Sequence, residues 1–218
     1  MVQLRKTKER SVRDAEVTQQ QILDAAELEF ARHGLYGARL SAIAKAAGVT
    51  TAMIHYYFEN KEGLYKAVLQ RPATELATEL TRLKLDELPP TAALETIVRA
   101  TIAYEAMHPH RQMLWFQEAN QNRGEYFKLS QKHFSDAHTY LFRILERGIA
   151  EGSFRELDLQ LTTLHIISVC IFYFTVHENW KYLMPEVDRL SPEMIEHHTQ
   201  TAVQFVLAGV KKSPDVIG

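Results

Sequence analysis

A single cysteine in 218 residues, Cys170, excludes a disulfide framework and a cysteine-built metal site. It stands in the longest apolar run, 166–174, which is too short to cross a bilayer. There is no phosphate-cradling glycine loop, no HExxH and no serine nucleophile elbow, so the usual signatures of nucleotide, zinc and serine chemistry are missing. The first residues are charged and carry no apolar leader, so no membrane partner and a cytoplasmic setting are expected. Only His108, His110, His133 and His138 invite a metal reading. The first two flank a proline, and the second two, five apart, fall on different helix faces, so neither metal nor cofactor is expected.

What is present is uneven charge. The chain carries a net charge of −2. Residues 1–71 hold 11 Lys and Arg against 8 Asp and Glu, and residues 72–218 hold 14 against 19. A mildly basic head on an acidic body fits a DNA-binding end joined to something else. The length allows one large domain or two small ones with a real core.

The stretch 39–64 is the most informative. Ile43 and the pair Ala46-Ala47 share one face at helical spacing. Gly48 follows where that helix should stop, because glycine enters the left-handed cap conformation cheaply. Thr50 is placed to cap the next helix, about 51–58, with Ile54 and Phe58 inward and Thr51, Ala52, His55 and Tyr56 outward. Helix, glycine turn and helix is the layout of a helix-turn-helix DNA reader, although any helical hairpin satisfies the same residues.

Ile43-Ala44, Ala46-Ala47-Gly48-Val49-Thr50, Ile54, Tyr57-Phe58, Lys61-Glu62 and Leu64 closely resemble the DNA-binding domain of the TetR family. Ile22-Leu23-Asp24-Ala25-Ala26, Phe30 and Gly34 resemble that family's first helix, so the likeness covers about 17–70 without gaps. The resemblance implies an all-α fold of about nine helices: a three-helix DNA-binding head at 17–71 and a helical ligand-binding and dimerisation body at 72–218. It places Arg39, Ser41, Thr50, Thr51, Met53, His55, Tyr56 and Lys61 at DNA-contact positions. Two departures stand out. The Thr or Ser pair that usually opens the second helix is Ala38-Arg39 here, and a phosphate-binding tyrosine is replaced by His55.

Residues 1–16 hold Arg5, Lys6, Lys8, Arg10 and Arg13, and read as a flexible basic arm that either follows DNA or is a solvated tail. Thr18 with Gln21 is a capping-box pattern that starts the first helix near 18, and Gly34 ends it. Pro72 should kink the helix that begins at Lys61 and resumes to about 85. Further helices are expected at about 91–107, 113–120, 125–151, 157–179 and 193–210. Between 159 and 174 nearly every face is apolar, and such a helix wants cover on all sides. In the family the last two helices form a homodimer interface, and Ala202 and Gly209 would let a second helix come close. The resemblance also implies a small-molecule effector in the body, with Tyr104, Trp115, His138 and His165 as candidate contacts. The expectation is therefore a non-enzymatic, ligand-responsive repressor of a palindromic double-stranded DNA operator. The alternatives are a constitutive regulator without an effector and, from another class, a helical enzyme.

Overall fold

The computed structural model describes residues 2–129 and 131–212, and the side chains of 2–13, 73 and 132–137 lie outside the described set. Among the described residues there are ten α-helices. They are α1 (Val2–Gly37), α2 (Leu40–Ala47), α3 (Thr51–Phe58), α4 (Lys61–Arg82), α5 (Pro90–Met107), α6 (Arg111–Asn122), α7 (Gln131–Ala150), α8 (Leu159–Thr175), α9 (His177–Trp180) and α10 (Pro192–Val210). Short 3-10 turns cover Leu85–Glu87 and Phe127–Leu129, and a β-bridge pairs Phe154 with Lys211.

Several boundaries differ from those expected. The backbone is helical from Val2 instead of from about 18, and Thr18 Oγ1 donates to the Asp14 carbonyl at 2.8 Å, so it does not act as a cap. The basic side chains expected to form an arm lie outside the described residues. The break expected at Gly34 is present as a non-helical residue, φ +64°, within α1. The helix α4 runs through Pro72 to Arg82. The expected helix over 125–151 begins only at Gln131, because Arg123 and Gly124 take positive φ and a 3-10 turn follows. The helix expected over 157–179 is split at Val176 into α8 and α9.

The chain divides into two compact units, Met1–Pro72 with Met113–Ser130, and Ala73–Gln112 with Gln131–Gly218. Residues 113–130, which the sequence places in the body at 72–218, cluster with the first unit. In the first unit Ile22, Phe30, Ile43, Ile54, Leu64 and Leu114 are fully buried in one core. Phe30 meets Tyr65 edge-on at 4.9 Å. Glu118 is buried there and accepts from Tyr65 Oη at 3.0 Å, Asn122 Nδ2 at 2.7 Å and the Tyr126 N–H at 2.7 Å. This network ties residues 118–126 to α4, and burial beside that carboxylate pushes the Tyr65 phenol well up.

The second unit packs α5, α7, α8 and α10 around Leu94, Ile102, Leu145, Ile166, Phe174 and Val206. On α8, Ile166, Cys170 and Phe174 face this core, while Leu161, Leu164 and Phe172 are exposed, as is Phe205 on α10. Ala202 packs into the unit's own core, so it does not serve a visiting helix; Gly209 faces open space.

Candidate nucleic-acid interface

The turn between α2 and α3 forms for local reasons. Gly48 sits in the left-handed region, φ +68°, and its N–H returns to the carbonyls of Ala44 and Lys45. Thr50 is extended, and its hydroxyl accepts from the Met53 N–H at 3.3 Å, which satisfies a free donor at the start of α3. Ile54 is fully buried and pins α3 to the core. The opposite face is then set by helical period. Ala52, His55 and Tyr56 are exposed, Tyr56 to 81%, while Thr51 and Met53 are half-buried.

His55 is held by its own helix end. Its Nδ1 lies 2.8 Å from the Glu59 carbonyl. A carbonyl only accepts, so Nδ1 carries the hydrogen, a tautomer inferred from the contact. The neutral ring therefore offers Nε2 as an acceptor, and only the charged ring offers a donor to phosphate.

Lys61 opens α4 and is not idle. Its ammonium donates to the carbonyls of Tyr36 at 3.3 Å and Ala38 at 3.2 Å, leaving a third N–H. Asn60 accepts from the Gly63 N–H at 2.9 Å and caps the same helix. A Cβ at Gly63 would stand 2.2 Å from the Phe58 carbonyl, so the turn closes only around glycine. Arg39 and Ser41 are both exposed at the start of α2. Arg39 precedes that helix with no side-chain cap, and its N–H donates instead to Glu29 Oε1 at 3.1 Å. The structure thus brings Arg39, Ser41, Thr50, Thr51, Met53, His55, Tyr56 and Lys61 onto one unit. Sequence reading passed over Tyr36, which is 71% exposed at the end of α1 and whose carbonyl holds Lys61. A large aromatic two residues after the helix-breaking Gly34 was the available signal.

The four candidate effector contacts fall in different settings. Tyr104 is buried in the second unit, donating to Glu75 at 3.2 Å and accepting from Arg111, which pairs with Glu75 at 2.6 Å. Trp115 belongs to the first unit and meets Phe127 edge-on at 5.6 Å. His138 is exposed and stacked on Phe142 at 6.1 Å, and His165 lies exposed on the outer stripe of α8. Reading for aromatic residues also missed two features of the second unit. Glu105 is buried, and burial pushes its carboxyl up to about 7. A cleft of about 560 Å³ opens at the end of α8, walled by Phe172, Tyr173, Trp180, Met184, Arg189 and His198. Among the described residues no three His, Cys, Asp or Glu side chains come together to hold a metal, and no helix is long and apolar enough to cross a membrane.

Residues 22–68 match the family of bacterial regulatory proteins, tetR family, and residues 90–206 match the tetracyclin repressor-like C-terminal domain. The HTH-type transcriptional repressor NicS of Pseudomonas putida is 33% identical over 177 residues, 79% of this chain and 82% of that one. The ketosteroid transcriptional regulator KstR2 of Mycobacterium tuberculosis shares the fold with a TM-score of 0.73 at 20% identity, over 89% of this chain and 95% of that one. The regulator FadR of Bacillus subtilis, solved in complex with stearoyl-CoA, shares it at 0.68 and 21% identity, over 87% and 98%. Two domain matches in order, a repressor alike over four fifths of the chain and an exposed, capped α3 agree: this protein belongs to the TetR family of transcriptional regulators.

Proposed function

We propose that the chain acts in the cytoplasm as a homodimeric repressor whose paired α3 helices read an inverted-repeat operator, and that a small effector bound in the helical body releases it. The observation that carries the DNA reading is the outward face of α3, with Tyr56 81% exposed and Ile54 locked inward. Thr51, Met53 and Tyr56 then face base edges, while Arg39, Ser41, Thr50 and Lys61 face phosphates. Pairing of two chains is supported by Leu161, Leu164 and Phe172 on α8 and Phe205 on α10, large apolar groups left in water by a single copy. A two-fold pair sets half-sites about 34–36 Å apart, or a multiple of that. The effector follows from linkage: a ligand that prefers the shape unable to hold DNA must weaken DNA binding.

Selection of bound duplexes from a random pool tests this. Enrichment of an inverted repeat, bound by a dimer, is expected. No enrichment, or a lone half-site held by a monomer, would refute it. In the enriched operator Tyr56→Ala should change base preference, whereas Lys61→Ala should weaken all sequences alike and lower the salt slope by about 1 per subunit. A constitutive regulator would retain its operator against every metabolite fraction tried.

A further inference from the structure

The cleft at the end of α8 holds a charge, Arg189, that pairs with no carboxylate among the described residues. Arg189 stacks on Tyr173 at 4.1 Å and on Trp180 at 4.9 Å, and its Nη2 reaches the Tyr173 carbonyl at 3.4 Å. Its Nη1 is buried without a hydrogen-bond partner. A guanidinium cannot discharge by losing its proton, so a buried, unpaired N–H of this kind is costly until an acceptor arrives. Tyr173 itself is fixed, because its hydroxyl donates to the Arg189 carbonyl at 2.7 Å. His198 stacks on the same ring at 4.1 Å. Two groups that close cannot share one face, so Tyr173 is sandwiched between them. The His198 Nε2 is also buried and unpartnered, while the ring bonds the Cys170 backbone and burial lowers its basicity. Apart from Ser168, whose hydroxyl donates to the Leu164 carbonyl of its own helix, the rest of the lining, Phe172, Val176, Met184 and Val187 among it, is apolar. A mainly apolar cleft with a few convergent polar atoms is the general form of a small-molecule site.

We infer that this cleft binds a small apolar carboxylate, its oxygens meeting the guanidinium of Arg189, which lines the cleft, and its hydrocarbon part lying on Val176, Met184 and Val187. As a binding site it stands on this geometry alone; as the effector site it rests on the regulatory reading above.

The chain has two tryptophans, and Trp180 lines the cleft, so Trp115→Phe leaves a local reporter. Full-length protein with that change is titrated with octanoate and, separately, with octanamide, which matches its shape without the charge. Octanoate should give a saturable change in Trp180 emission at about tenfold lower concentration than the amide. Arg189→Gln should bring the two to within about twofold. Equal binding of acid and amide, or an acid preference that survives Arg189→Gln, would overturn the site. Should Arg189→Gln fail to fold by circular dichroism, Val187→Phe decides, since it fills the cleft and keeps the arginine. Loss of both ligands supports the site, and undiminished octanoate binding overturns it. Emission that follows protein concentration and ignores octanoate would mean a second copy fills the cleft, which also overturns it. Gel shifts on the selected operator separate the two claims. Release by octanoate supports the effector role, binding without release removes that role and keeps the site, and failure to select any operator sinks the regulatory reading alone.

Discussion

Two buried glutamates, Glu118 of the first unit and Glu105 of the second, are treated in opposite ways. In the first, Glu118 accepts three hydrogen bonds, from a phenol, an amide and a backbone N–H. In the second, Glu105 accepts from the Gln112 side chain but keeps Oε2 buried and without a hydrogen bond, and burial pushes its carboxyl up to about 7. A satisfied carboxylate fixes a shape, because every donor around it points one way. An unsatisfied one stores a choice between two protonation states. The unpaired Nη1 of Arg189 and Nε2 of His198 belong to the second unit as well. The first unit uses the Glu118 carboxylate as a fastener, although Asn122 Oδ1 beside it has no hydrogen-bond partner, and the second leaves more of its buried polar atoms without one.

The hardest blow to this contrast is Glu118→Leu. It strands the donors of Tyr65, Asn122 and Tyr126 and should cost about 4 kcal/mol, at roughly 1–3 for each orphaned donor. Denaturant unfolding measures it; a loss within ordinary surface-mutation scatter would show that the network fastens nothing. Next is Glu105. Its folded value of about 7 lies above the usual 4.5, so the fold favours the neutral acid. That contribution is fully present below 4.5 and is lost as pH rises through about 7, amounting to about 3 kcal/mol. Glu105→Gln should flatten this part of the stability–pH profile between pH 5 and 8; an unchanged profile would end the comparison. Gly34→Ala comes third. It places a Cβ at φ +64° and 2.1 Å from the Gln121 amide, and should cost about 2 kcal/mol in melting experiments. Gln121→Ala opens the space but leaves the backbone strain, so rescue should be partial. The smallest effect is Thr50→Ala, about 1 kcal/mol for a lost cap. Because it touches only the turn before α3, operator affinity should fall with stability while the pH profile stays as it was.

What could be read from the residues was what depends on near neighbours. Gly48 stops α2 and Thr50 caps α3 by contacts within three or four residues, and Ile54 follows from helical period. The same reading failed wherever the partner is distant. Nothing near Gln121 says that its amide lies against Gly34, and nothing near Glu118 names Tyr65. Arg123 in the left-handed region is not announced by its type, so a helix expected from 125 begins only at Gln131. The effector candidates fall in different settings for a related reason. Tyr104, Trp115, His138 and His165 were picked by side-chain type, but type does not reveal which face a helix turns inward. Arg189 lies in a loop whose sequence stands out only for its prolines.

Lysine side chains usually reach DNA as loose tethers and surrender rotamer freedom when they dock, at up to about 2 kcal/mol each. Lys61 would arrive already immobilised, its stem stretched toward the carbonyls of Tyr36 and Ala38. For this residue the ordering is completed when the protein folds, so a phosphate meeting its remaining N–H would gain the attraction with little further loss of motion.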